Sequence, residues 1–330
     1  MTAEPITRPE GLRPTFHSLT QGGLNWDSMA MRLYTQGNEK AWNPADVDFS
    51  QDAEHWNLLD ADQQKGLIGI VTMFLAGEES VTEDIAPFMK AMSDEGRLED
   101  EMYLTQFALE EAKHTEAFRR FLDALGVNQD LHEVLERTTP SSQALGGVFA
   151  EEQPEAMRRL WTDSSPEAQI RANVVYNQFV EGTMALTGYW IFSKLGDAFE
   201  GLFPGIREVI RLISRDERRH LAWGTYNIRR HVAADDAMWE VAKADLDEMM
   251  EKMEAREDQR RAEMTEEDRQ MEELGTAIGI GPDQRRAYQR SRLERRYGAI
   301  ESARGASDEE IETIEAGADD EGYDALAQKR

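Results

Sequence analysis

Leu104 to Leu125, LTQFALEEAKHTEAFRRFLDAL, decides the fold. At helical spacing Leu104, Phe107, Ala108, Phe118, Phe121, Leu122 and Leu125 form one apolar stripe, and Glu111 and His114 complete it. A carboxylate and an imidazole one turn apart are thereby turned toward the core. An ionised carboxylate buried without a partner is costly, so this helix requires a shifted proton, a cationic partner or a metal ion. Glu-x-x-His on an inward face is the spacing by which a bundle helix delivers two ligands to a di-metal site.

One Glu three residues before a His arises by chance, but here the motif occurs again. In RLISRDERRHLAWG, residues 211–224, Glu217 and His220 lie on the face of Ile210, Ile213, Leu221 and Gly224. Each motif also has an upstream Glu on an apolar helix face. Glu78 sits on the stripe Leu67, Ile70, Val71, Phe74, Leu75, Val81, Ile85 and Phe88, and Glu181 on the stripe Val174, Gln178, Met184, Ala185, Gly188 and Phe192. The pattern is Glu, then Glu-x-x-His, twice. All six side chains are carboxylates or imidazoles, a set that suits iron and manganese. The competing reading, buried salt bridges with Arg, leaves the repetition unexplained.

The 330 residues include no cysteine, which removes disulfides and thiolate metal sites. The N-terminus lacks a long apolar stretch, and no run reaches the ~18 apolar residues of a membrane span. The chain reads as soluble and cytoplasmic. A net charge of −28 argues against nucleic acid as a partner and for an acidic, soluble surface.

Residues 1–59 read as an extended arm with a short helix near Asn25–Gln36; its Asp52-x-x-His55 pair has no apolar frame and is not taken as a site. Residues 60–272 form a helical bundle domain. Asp60-Ala-Asp-Gln63 is a capping box opening a helix to about Ser93, and a second helix runs from about Leu98 to Leu125, closed by Gly126. A third starts after Ser165-Pro166 and runs to about Leu195, and a fourth spans Phe203-Pro204 to Val232. These four helices carry all six candidate ligands. Residues 235–272 are a charged helix in which Met249, Met250, Met253 and Met264 serve packing. Residues 273–330 are a C-terminal helical extension and an acidic tail, expected to be mobile from Ser307 onward. No strand run, glycine-rich phosphate loop or Ser-His-Asp arrangement stands out.

Gly77-Glu-Glu-Ser-Val81, Glu110-Glu-Ala-Lys-His-Thr115 and Arg215-Asp-Glu-Arg-Arg-His220 resemble the ribonucleotide reductase small-subunit superfamily. Within it they are most similar to the ligand-binding oxidases that resemble that subunit, over roughly residues 60–235. The resemblance implies an all-α, ferritin-like four-helix bundle core with additional helices. It also implies Glu78, Glu111 and His114 around one metal, Glu181, Glu217 and His220 around the other, and Glu111 bridging. The implied cofactor is one manganese and one iron ion per chain, with di-iron as the alternative. Irving–Williams ordering favours iron at such sites, so the mixed pair rests on the resemblance alone.

Reductase subunits of the ordinary type carry a radical tyrosine four residues after the first motif His, where this chain has Phe118. The oxidases carry a Val three residues after the first ligand and a Tyr five before the fourth, here Val81 and Tyr176. In that family the two become joined, tyrosine oxygen to valine β-carbon. The implied activity is dioxygen-dependent oxidation of a long-chain fatty-acid-like ligand, in a homodimer. Two alternatives remain: a reductase small subunit lacking the radical tyrosine, with Tyr323 in its tail, and an iron-storage or ferroxidase bundle.

Overall fold

Asp60 opens the first long helix by satisfying amides that have no partner within it. Its carboxylate accepts from the backbone N–H of Asp62 and Gln63, and the Gln63 side chain accepts in return from the Asp60 N–H at 3.0 Å. The computed structural model describes residues 16–137, 151–198 and 201–312. Two short helices, α1 (Met29–Glu39) and α2 (Ser50–Trp56), precede α3 (Ala61–Asp84), α4 (Ala86–Asp94) and α5 (Leu98–Ala124). Helices α6 (His132–Arg137) and α7 (Gln153–Arg159) lead to α8 (Pro166–Asn173), which continues as a π-helical segment (Val174–Ala185) and then α9 (Leu186–Ala198). The remainder is α10 (Pro204–Ala234), α11 (Ala237–Glu263), α12 (Glu266–Ala277), α13 (Pro282–Glu301) and α14 (Asp308–Glu312). The fold is all-α, and no strand occurs among the described residues.

The predicted helix to Ser93 is two helices, α3 and α4, parted at Ile85. Pro87 lies in the first turn of α4; it has no N–H for the carbonyl four residues back and cannot continue α3. The predicted third helix spans its expected range but is π-helical over its middle twelve residues. At the end of α5, Gly126 takes a φ of +75° and the Val127 N–H returns to the Leu122 carbonyl, a left-handed cap that turns the chain away.

Helix α1 of the arm and helices α13 and α14 of the extension contribute to the core. Met29 and Leu33 of α1 lie in one buried cluster with Val81, Phe107, Tyr176 and Trp223, and so do Leu293 and Ile300 of α13 and Ile311 of α14. A second cluster, with Phe118, Phe121, Tyr189, Ile210 and Ile213, fills the other end of the bundle. Met249 is buried and Met250 and Met253 pack against the first cluster, as packing methionines should. The expected mobile tail begins at Ser307, yet residues 308–312 are helical; residues 313–330, Tyr323 among them, lie outside the described residues.

Asp52, read from sequence as part of a polar arm, is fully buried. Its two carboxylate oxygens accept from the N–H groups of Gly205 and Ile206 at 2.8 and 2.9 Å, capping α10. His55 Nδ1 accepts from the N–H of Phe203, whose φ of +52° is left-handed. The pair thus clamps the start of the helix that carries Glu217 and His220.

Candidate metal centre

Four helical elements converge in the middle of the bundle. Glu78 comes from α3, Glu111 and His114 from α5, Glu181 from the π segment, and Glu217 and His220 from α10. All six are buried, the two histidines completely. Their ligand atoms form two groups, Glu78, Glu111, His114 and Glu217 in one and Glu111, Glu181, Glu217 and His220 in the other, each with its atoms within 4.8 Å of one another. Both groups share Glu111 and Glu217. Either carboxylate can therefore span two ion positions, a place the sequence reading gave to Glu111 alone.

The imidazoles are oriented alike. Nδ1 of His114 faces Glu78 Oε2 at 3.2 Å and Glu217 Oε1 at 3.2 Å, and Nδ1 of His220 faces Glu111 Oε1 at 2.8 Å and Glu217 Oε2 at 3.4 Å. Several of these atoms, Glu111 Oε1, Glu181 Oε1, Glu217 Oε2 and His220 Nδ1, are buried without a hydrogen-bond partner despite their closeness. Lone pairs that approach without aligning on one another are aimed at a common third atom. That geometry, with an all-oxygen-and-imidazole donor set, fits a pair of hard or borderline cations.

Nε2 of each ring points outward to another carboxylate. His114 Nε2 lies 3.5 Å from Asp216 Oδ2, and His220 Nε2 lies 3.0 Å from Glu110 Oε2. Each brace is the residue immediately before the Glu of the opposite motif, so the two motifs hold each other's histidines. Arg219 ties the braces together, donating to Glu110 Oε1 at 2.6 Å and Asp216 Oδ1 at 2.8 Å. Asp216 also accepts from the Trp42 indole at 2.6 Å and from Lys113 at 3.4 Å. With the Nε2 hydrogen given to a carboxylate, it is the Nδ1 proton that a cation would displace, leaving the Nδ1 lone pair directed inward. The outer oxygens of the end carboxylates are held too: Tyr189 donates to Glu78 at 3.2 Å and Asn177 to Glu181 at 2.9 Å.

Sequence periodicity did not single out Glu110, Asp216, Arg219, Trp42 or Asn177. A signal for two of them was present, since each Glu-x-x-His is preceded by an acid, Glu110 and Asp216. Of the two predicted reacting residues, Val81 and Tyr176 are both buried in the same core cluster. In an α-helix residues five apart sit about 140° apart around the axis, but the π segment hydrogen-bonds from i to i+5 and brings Tyr176 nearly into line with Glu181. Phe118 stacks on Phe74 at 5.3 Å, with no phenol at that position.

Protonation follows from burial and mutual charge. Burial, reinforced by Glu111 and Glu217, pushes Glu78 up to about 8. Burial and the Glu217 charge hold Glu181 well above the carboxylate range. Burial works against both imidazolium forms, yet Glu78 beside His114 and Glu217 beside His220 hold both histidines well above their ordinary value. Burial also opposes charge on Glu111, but His220 and His114 bring its carboxyl down to about 2. Without ions, protons collect in the space between the carboxylates; two divalent cations would replace them and neutralise the cluster.

The family described as ribonucleotide reductase, small chain, matches residues 26–277. Among solved structures, the chain is similar to the R2-like ligand-binding oxidase from Sulfolobus acidocaldarius, with 34% identity over 91% of this chain and 99% of that one and a TM-score of 0.77. It is also similar to a variant of an R2-like ligand-binding oxidase with an aerobically reconstituted Mn/Fe cofactor, with 33% identity over 88% of this chain and 99% of that one and a TM-score of 0.77. A second variant with an anaerobically reconstituted Mn/Fe cofactor gives 34% identity, coverage of 87% and 99%, and a TM-score of 0.75. The family match over most of the chain and the end-to-end likeness to these oxidases agree with the buried Glu and His pattern: the chain belongs to the ribonucleotide reductase small-chain family, among its R2-like ligand-binding oxidases.

Proposed function

We propose that this chain is a dioxygen-activating di-metal oxidase that holds one manganese and one iron ion and oxidises a long-chain fatty-acid-like ligand. Glu78, Glu111 and His114 would hold one ion and Glu181, Glu217 and His220 the other, with Glu111 shared between them. The observation that carries this reading is the pair of overlapping four-residue groups with both Nδ1 atoms turned inward. The likeness to oxidases with a Mn/Fe cofactor supports the choice of metals.

When bound, the ions supply the electrons and the Lewis acidity for reducing dioxygen. The protein's part is placement. Glu110 and Asp216 fix the tautomers of His220 and His114, Tyr189 and Asn177 hold the outer oxygens of Glu78 and Glu181, and the flanking Phe74, Phe107 and Phe118 keep water out. Tyr176 is kept protonated by burial and by Glu111 and Glu181, so its phenol enters the reaction with its hydrogen. Val81 and Tyr176 would be the residues linked, valine β-carbon to tyrosine oxygen, with the loss of one C–H and one O–H bond to the oxidising power the ions would supply, and two chains would form a homodimer.

Mass spectrometry of a tryptic digest, taken after anaerobic loading with both metals and exposure to air, tests the reading. A single linked species containing Val81 and Tyr176 is expected, with comparable manganese and iron by elemental analysis. Two separate unmodified peptides would favour a reductase subunit without the radical tyrosine. A particle of many subunits in light scattering would favour iron storage.

A further inference from the structure

A line of buried amides runs from the metal centre toward the surface. Gln169, Asn173, Asn177 and Glu181 recur every fourth residue along α8 and the π segment, and the three amides are completely buried. Asn177 donates to Glu181 at the inner end. At the outer end Gln169 donates to Glu95 at 2.5 Å and accepts from Arg230 at 2.7 Å, beside His231. The Glu95 and Arg230 pair is partly exposed there.

The facing helix is α10, running antiparallel. Its Gly224 admits Asn177, since a Cβ there would fall 2.4 Å from the Asn177 side chain, while Arg230 and His231 meet Gln169. Asn173 and Asn227 therefore lie near the same level. Asn173 Oδ1 and Asn227 Nδ2, an acceptor and a donor, are both buried and both lack a hydrogen-bond partner. Asn177 Oδ1 and Gln178 Oε1 lack one as well. Orphan amide groups stacked along one seam are tolerated when ordered water satisfies them, each water taking two to four polar partners.

We propose that the seam between α8 with its π segment and α10 holds a file of ordered waters that conducts protons from solvent at Glu95 and Arg230 to the Glu181 carboxylate. This rests on the reading of the centre as a dioxygen-activating one. Reducing dioxygen to two waters consumes four electrons and four protons. Joining the Val81 β-carbon to the Tyr176 oxygen breaks one C–H and one O–H bond and releases two of each. Two divalent ions held by the six candidate ligands would supply the other two electrons on becoming trivalent. The two remaining protons come from solvent, and Asn173, Asn177, Gln178 and Asn227 position the waters that carry them.

The test uses the full-length protein loaded anaerobically with manganese and iron and mixed with oxygenated buffer containing a pH-indicator dye. Asn173→Leu and Asn227→Leu, on opposite helices, should each slow proton uptake at least about tenfold and enlarge its solvent deuterium isotope effect. Asn173→Ser, which still holds a water, should restore most of the rate. Leucine variants that keep their metal content and circular dichroism and take up protons at the unmodified rate would overturn the proposal. A high-resolution crystal structure of the unmodified protein decides independently of the variants: water bridging Asn173 and Asn227 is expected, and a dry seam would overturn it. Unlinked Val81 and Tyr176 peptides would refute the crosslink but leave the comparison of rates intact.

Discussion

Arg219 offers the most direct measure of how the centre is held. Its side chain is 2% exposed, and those of the two carboxylates it joins, Glu110 and Asp216, are 3% and 1% exposed. Solvent therefore does little to screen the loss of its charge. In Arg219→Met, Asp216 keeps Trp42, Lys113 and His114, whereas Glu110 keeps, among the described residues, His220. Removing one member of a buried ion pair costs about 3–5 kcal/mol, and here the cost falls mainly on Glu110. Urea unfolding of the metal-free variant should show a loss of that size. Metal affinity, by competition with a chelator, should fall about 10–100-fold, because the brace behind His220 is loosened. Adding Glu110→Leu removes the stranded charge and should recover part of the stability but none of the affinity. A metal-free Arg219→Met protein within about 1 kcal/mol of the unmodified chain would refute the reasoning, since a loss that small is what an exposed pair gives.

Metal-free protein should lose stability as pH rises. Glu78, Glu181, His114 and His220 all hold protons in the fold beyond the 4.5 and 6.5 at which they would titrate unfolded, so the native state binds more protons and the slope is negative from about pH 4.5 through about 8. Denaturation midpoints across that range check it, and a midpoint that climbs with pH would contradict the protonation described. Metal loading should remove the slope and release protons, read by calorimetry in buffers of unlike ionisation enthalpy. Glu111→Ala should lose both metals, since Glu111 belongs to both groups and is the ligand assigned to both ions; Glu78→Ala should keep the ion at Glu181, Glu217 and His220. Metal per chain, measured beside circular dichroism, separates these outcomes, and two bound metals in Glu111→Ala would put the ligand assignment in error.

The inward residues were legible because period and polarity conflicted at them. Glu111 and His114 stand in a stripe of Leu and Phe, and only burial makes that conflict expensive enough to be informative. Helix ends were legible where chemistry fixes them, as at Asp60 with Gln63 and at Gly126. The break at Ile85 was missed because Pro87, in the first turn of a new helix, sits among apolar residues that continue the period. The π segment was missed because a 3.6-residue period was assumed throughout; Met184 and Ala185, placed on the inner stripe by that period, are only half-buried. Asp52 was missed because its partners are backbone N–H groups some 150 residues away, which no local pattern encodes.

The crossed braces behind the histidines are alike in layout and unlike in the number of partners each carries. Asp216 spreads its charge over an indole N–H, an ammonium and a guanidinium as well as His114, whereas Glu110, among the described residues, shares its own between Arg219 and His220. A less committed carboxylate draws harder on the imidazole hydrogen and makes that ring the richer electron donor. His220 is accordingly the more closely braced of the two, at 3.0 Å against 3.5 Å for His114, although both come from the same Glu-x-x-His unit. A sequence repeat has thus been given two unlike settings by residues outside the six candidate ligands, so substitutions at Trp42 and Lys113 would change the setting of His114 without altering a single candidate ligand.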